Sequence, residues 1–401
     1  MTHRFLRATA RAAAASLALA AFAAVAAGGA HRHGPYGDYD VIHEFDGTSA
    51  TGGSLPYGAL AYANDGKVYG DTYYVDDTGS PIALGGLFQL GSDRSVALVQ
   101  TTGPRETAVS AAREGGLFLT YIKDAYLSDP DAWGYVVHQA GAGVRQVLHH
   151  FSQLDPAGYY PQPLLSEGAD GSLYGATEYG GANGNGTIFR LAPDGSVTAL
   201  AQLQPFGTEA PFGTLVGAPA ADGNLYVPGW RGIYRITPAG VTTLAAMLDD
   251  AAQGNSPPGP LVSGPDGALY GTANYDGPAG GGTVFRLDIS SGVVTVLHAF
   301  DGSPHGPHGP NAALALGADG YFYGTLESGG PGHEGGIFRI RPDGSDYAFV
   351  TAFEPSSDGY HGGNPLLALP DGRVLGSRND GGAAGRGSIF ALTPKPGARA
   401  K

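Results

Sequence analysis

From about residue 39 to the end, the chain alternates short apolar runs with clusters of Gly, Asp, Pro and Asn. Runs of about 4–8 apolar or alternating residues bounded by such punctuation predict β-strands. The punctuation is periodic. Asp-Gly-x-x-Tyr-Gly recurs as "DGKVYG" (65–70), "DGSLYG" (170–175), "DGALYG" (266–271) and "DGYFYG" (319–324). "DGNLYV" (222–227), "DGRVLG" (371–376) and the degenerate "EGGLFL" (114–119) are weaker copies. A short apolar run precedes each start, such as "GPLVSGP" or "PLLALP". A second phrase follows: "GGLFQL" (85–90), "WGYVVHQ" (133–139), "GTIFRL" (186–191), "RGIYRI" (231–236), "GTVFRL" (282–287), "GGIFRI" (335–340) and "GSIFAL" (387–392). A third phrase ends most units, as in "RQVLHHFSQ" (145–153) and "VVTVLHAFDG" (293–302). Asp-Gly between apolar runs predicts tight hairpins, and no segment after residue 30 shows a helical period.

Four antiparallel strands per ~50 residues, repeated, predict the blades of a β-propeller. A β-helix has shorter coils, and no linker divides the units as a string of separate domains would require. The last unit stops after its third strand, whereas "YDVIHEFDG" (39–47) is a fourth strand with no unit before it. The expectation is an all-β, seven-bladed β-propeller closed by an N-terminal strand that completes the last blade. Such closure removes the open sheet edges that invite aggregation.

Composition narrows the picture. Gly (68) and Pro (29) are abundant, yet 42% of residues are hydrophobic and 10% aromatic. Disordered low-complexity chains lack that apolar content. Residues 1–30 carry Arg4, Arg7 and Arg11 before an Ala/Leu run and small residues, the layout of a signal peptide cleaved near Ala27 or Ala30. A membrane anchor would need about 20 apolar residues, longer than the run 12–27. The expected organisation is a signal peptide (1–30), one propeller domain (31–395) and a short tail (396–401). Without residues 1–30 the basic count falls from 22 to 19 against 36 acids, a net charge near −17. Phosphate backbones are repelled by such a surface, which disfavours nucleic acid. There is no Cys, so an exported chain must rely on its core. The sequence therefore predicts an exported protein, periplasmic or extracellular, monomeric, with no membrane span in its mature form and no cofactor.

The phrases Asp-Gly-x-Leu-Tyr-Gly, Gly-Thr-x-Phe-x-Leu and x-x-Leu-x-x-Phe resemble the GloVer-type tandem repeat of exported bacterial proteins that vary in their surface anchor. "DGSLYGATEYGGANGNGTIFRLAPDGSVTAL" (170–200) is close to it. The resemblance covers about residues 39–394, is poorest in the second unit, and is not joined here by a recognisable anchor. It implies the repeat architecture and export, and carries over no catalytic residues.

In a propeller the first strand of each blade lines the channel. The links from second to third strand and from blade to blade then share one face, and the Asp-Gly turns occupy the other. The recurring aspartates read as turn formers. The Gly-rich links, such as "TEYGGANGNGT", lack the following helix of a phosphate-binding loop. At the roots of these links stand Glu178, Asn274, Glu327 and Asn379, followed by Tyr179, Tyr275 and Asp380. Amides, carboxylates and Tyr rings around one mouth suit a sugar's hydroxyls and apolar face, or they are strand-end polarity. Trp230 is a stacking platform or a gap filler. His43, His149 and His298 share one repeat position and read as structural. No metal set is expected, His305 and His308 being the nearest candidates. The inner strands offer Glu167 but almost no other ligands, and no nucleophile elbow appears. A binding module for a carbohydrate or other polar extracellular ligand is thus expected. The alternatives are a metal-dependent lactonase or polysaccharide-lyase-like enzyme, or a protein-interaction scaffold.

Overall fold

The computed structural model describes residues 31–395 except 49–51, 57, 76–83, 102–106, 122–132, 141–143, 163, 204–218, 230–231, 256, 258, 304, 332, 355–363 and 380. The described residues form seven antiparallel sheets and no helix. They are the blades of a seven-bladed β-propeller. Blade 5 shows the plain pattern: Val262–Ser263, Leu269–Ala273, Gly280–Leu287 and Val294–Asp301, in that order from the inside out. In blades 1, 3 and 6 the inner strand is broken in two. An extra strand (Ser54–Pro56, Tyr159–Pro161 or His308–Pro310) pairs with the far end of the second strand. Three strands of blade 4 lie among the described residues.

Blade 7 joins the chain ends. Its order is Leu367–Ala368, Val374–Arg378, Ser388–Pro394 and Gly37–Glu44, with a fifth strand, His31–His33, on the outside. That fifth strand was not foreseen from the repeat. A local signature shows that Gly37–Glu44 is a true fourth strand. Every blade carries a one-residue register shift between its third and fourth strands, just before the third-strand aromatic or its equivalent: Leu87/Phe88, Val136/Val137, Ile188/Phe189, Ile233/Tyr234, Val284/Phe285 and Ile337/Phe338. The N-terminal strand repeats it, pairing Val41 with Phe390 and His43 with Ile389. A β-bulge at one position in seven sheets is a designed local twist.

Because each blade is covered on both faces, its third strand reads as continuously apolar instead of alternating. Adjacent residues serve opposite neighbours. Phe189 packs in the seam between blades 2 and 3, and Ile188 in the seam between blades 3 and 4. The core is accordingly seven separate seams instead of one centre. Four seams contain a Phe pair between the end of one blade's fourth strand, or the residue just past it, and the next blade's third strand. They are Phe45–Phe88 (5.3 Å), Phe151–Phe189 (5.2 Å), Phe300–Phe338 (5.2 Å) and Phe353–Phe390 (5.7 Å). The repeat-position histidines lie edge-on to those Phe rings: His43–Phe45, His149–Phe151 and His298–Phe300, at 4.6, 4.7 and 4.8 Å. Their surroundings are structural, as expected, and His149 Nε2 also lies 2.6 Å from Asp155 Oδ2.

The recurring aspartates hold their hairpins. Asp266 accepts the Ala268 N–H (3.2 Å), the Tyr270 hydroxyl (3.0 Å) and Arg286 Nε (2.8 Å). Desolvation, with Asp266 second, pushes the Tyr270 phenol up to about 12. Asp65–Tyr69, Asp222–Tyr226 and Asp319–Tyr323 repeat the hydroxyl contact.

Candidate functional site on the link face

The second-to-third links are built alike. In blades 3, 5, 6 and 7 a glycine N–H bonds a carbonyl six residues back: Gly186 to Gly180, Gly282 to Asp276, Gly335 to Gly329 and Gly387 to Gly381 (2.9–3.1 Å). These glycines have φ between +71° and +100°. A Cβ on Gly186 or Gly335 would overlap the Thr177 or Leu326 carbonyl. Amides spent in this way are not turned outward as a phosphate cradle. Bonds between link types place them on one face: Tyr160 N–H to Trp133 O, Gly277 N–H to Asp250 O, and Gly330 N–H to His305 O.

The residues anticipated at the link roots separate into three groups. At the seam of blades 2 and 3, Glu178 and Tyr179 end the strand Leu173–Tyr179. Tyr179 is 44% exposed and stacks on Tyr159 (5.7 Å, 26°). Tyr160 crosses Tyr179 edge-on at 5.6 Å, and Trp133 meets Tyr159 and Tyr160 at 5.4 and 5.5 Å. Tyr160 holds φ at +57°, a left-handed conformation that is strained for an aromatic residue. Gln162 Nε2 reaches Glu178 at a long 3.5 Å. The Glu178 carboxylate, by hydrogen bond and charge, holds the Tyr179 phenol above its ordinary value.

At the seam of blades 5 and 6, Asn274 and Glu327 both approach Gly309. Asn274 Oδ1 is buried with no hydrogen-bond partner among the described residues. Tyr275 beside it is 54% exposed, and Asn255 Nδ2 donates to Asp276 at 2.6 Å. His305 turns to His333 (Nδ1 to Nδ1, 3.3 Å) and not to His308, whose Nδ1 lies 2.7 Å from Gly306 O.

Asn379 is committed elsewhere. It accepts from Asn364 Nδ2 (2.9 Å), which also reaches Ser377 Oγ and Pro56 O (3.0 Å each) and so ties blade 7 to blade 1. Trp230 and Asp380 lie outside the described residues; the described members of the expected ring fall into two patches and a stitch. Trp133, Tyr159, Tyr160 and Gln162 were missed by sequence reasoning, because they occupy the irregular links of the degenerate second unit and its neighbour. Their aromatic density in "DAWGYVV" and "GYYPQ" was the available signal.

The opposite, turn face has a cavity of about 530 Å³ between blades 2 and 3, lined by Arg113, Phe118, His138, Glu167, Leu173 and Leu191 among others. There the second unit has Glu114, Phe118 and His138 where blade 5 has Asp266, Tyr270 and Arg286. Glu167, at the end of its strand, accepts the Arg113 N–H at 2.7 Å.

A family model described as Gloeobacter/Verrucomicrobia repeat matches residues 113–314 and again 229–401. No curated protein matches the sequence. Solved structures share the fold at low identity. An oligogalacturonate lyase from Vibrio parahaemolyticus aligns at 11% identity and a TM-score of 0.54, covering 91% of this chain and 95% of that one. A Bacteroides thetaiotaomicron structure described as the extracellular domain of a hybrid two-component system aligns at 11% and 0.55, over 86% of this chain. This chain spans only 40% of that protein. No helix among the described residues is long and apolar enough to cross a membrane.

Proposed function

The chain belongs to that repeat family, and from this premise we propose that it is an exported binding module which takes a carbohydrate on its link face. The aromatic cluster of Trp133, Tyr159, Tyr160 and Tyr179 carries the reading. Partly exposed rings beside a carboxylate and an amide match a sugar's apolar face and hydroxyls. Asn274, Tyr275 and Glu327 supply a second polar and aromatic patch on the same face. The acidic chain favours a neutral glycan over an anionic one.

A glycan array followed by calorimetry on the best ligand tests this. Tyr179→Ala is expected to weaken binding about tenfold, a loss of about 1.4 kcal/mol, with the melting temperature little changed. Absence of glycan binding, or binding indifferent to both Tyr179→Ala and Tyr275→Ala, refutes the proposal. Turnover of the bound glycan would move the reading to the lyase-like alternative. Mass spectrometry of the exported protein tests the leader: a mature chain starting at Gly28 or His31 is expected.

A further inference from the structure

The strand His31–His33 on the outside of blade 7 has a chemistry that neither the repeat nor the link face uses. It pairs antiparallel with Gly37–Glu44 in the register His31↔Asp40, Arg32↔Tyr39, His33↔Asp38. Side chains two apart share a face of a strand. His31, His33, Asp38 and Asp40 are therefore gathered on one face of this ribbon.

Their hydrogen bonds fix the imidazole tautomers. His31 Nδ1 lies against Asp40 Oδ1, and His33 Nδ1 is 2.9 Å from Asp38 Oδ1. A carboxylate only accepts, so both Nδ1 atoms carry hydrogen, and a neutral ring then presents Nε2 as a lone pair. The two Nε2 atoms face each other at 3.0 Å, with the rings perpendicular at 89°. Two imidazole nitrogens at that distance can share a proton or ligate one metal ion. Carboxylates behind both imidazoles are the usual outer partners of metal-bound histidine. The carboxylates are held in turn: Lys395 Nζ is 2.8 Å from Asp38 and Arg94 Nη2 is 3.4 Å from Asp40.

The spacing selects among metals. With metal–nitrogen bonds of about 2.0–2.1 Å, a 3.0 Å separation subtends about 94° at the ion. That is a cis pair in a square-planar or tetragonal shell, whereas a tetrahedral ion would need about 3.3 Å. We propose that His31 and His33 form a cis two-nitrogen site for a divalent transition-metal ion of copper(II) type. No group of three or more His, Cys, Asp or Glu among the described residues is arranged to hold a metal. The two imidazoles would fill two positions of such a shell, and water or a chelator that brings the ion would fill the others.

The test is titration of the chelator-stripped full chain with copper(II) chloride, followed by calorimetry and electron paramagnetic resonance. The expected result is one tight equivalent with a tetragonal spectrum and coupling to two imidazole nitrogens. His31→Ala and His33→Ala each reduce affinity at least tenfold. Asp40→Asn, which keeps both imidazoles, reduces it about tenfold. Because His31 and His33 stand on the outermost strand of the sheet, circular dichroism and melting should be unchanged in His31→Ala and His33→Ala. Failure to bind copper(II) leaves the proton-bridged pair and overturns the proposal. So does binding unaffected by His31→Ala and His33→Ala, or abolished instead by His305→Ala.

Discussion

Replacing Phe45 by Ala tests the closure of the ring. Phe45 is fully buried, and its ring meets Phe88 of the next blade at 5.3 Å. Its N–H bonds Gly387 O at 3.0 Å, the bond that Phe151 and Phe353 make to Gly134 and Gly335. Phe300 is the matched control: equally buried, paired with Phe338 at 5.2 Å, but in a blade whose four strands are contiguous in sequence. Truncating a buried Phe to Ala costs about 3–5 kcal/mol. At about 2.1 cal/mol/K per residue, a domain of roughly 360 residues changes its melting temperature by about 1 °C per ~0.75 kcal/mol. Both variants should therefore lose about 4–7 °C in calorimetry, and by similar amounts. If Phe300→Ala shifts as expected while Phe45→Ala shifts by less than about 1 °C, the N-terminal strand does not seal the propeller, and the seam argument fails there.

Two further outcomes follow from local geometry. His298 stacks on Tyr347 (3.5 Å, 13°), and burial pulls its pKa from 6.5 down to about 4. The unfolded chain then takes up the proton first, so stability falls as pH drops from about 6.5 to about 4 and levels off below. Urea midpoints across that window should show this limb in the native protein and a flatter one in His298→Gln; identical limbs would refute the assignment. Gly335→Ala and Gly320→Ala share similar positive φ, +71° and +79°, but only the former drives a Cβ into a carbonyl. Gly320→Ala should cost about 1–2 kcal/mol for the left-handed backbone and Gly335→Ala clearly more, by urea unfolding; equal costs would show that the link can relax.

The architecture was legible because the repeat writes each strand seven times. A single copy such as "EGGLFL" (114–119) says little, and its register comes from the other six. The missing fourth strand of the last unit made closure readable, and the shared bulge at Ile389 and His43 agrees with it. The link roots were less legible. Asn379 occupies the same repeat position as Glu178, yet its amide is taken by Asn364 from a connection that the period does not index. Trp133 and Tyr179 meet through Tyr159 and Tyr160, residues of two different units. Periodicity places a residue within its blade but is silent on which neighbour an irregular link lays across it.

The strand Gly37–Glu44 also sets a clock. It is made early, but its partner Ser388–Pro394 is made last. At about 5–20 residues per second, the roughly 340 intervening residues take about 17–70 s to synthesise. For all that time residues 37–44 lack their partner on the inner side and have only His31–His33 to pair with. Whatever shields residues 37–44 during that wait acts on one of the first strands of the fold to emerge and the last to be used.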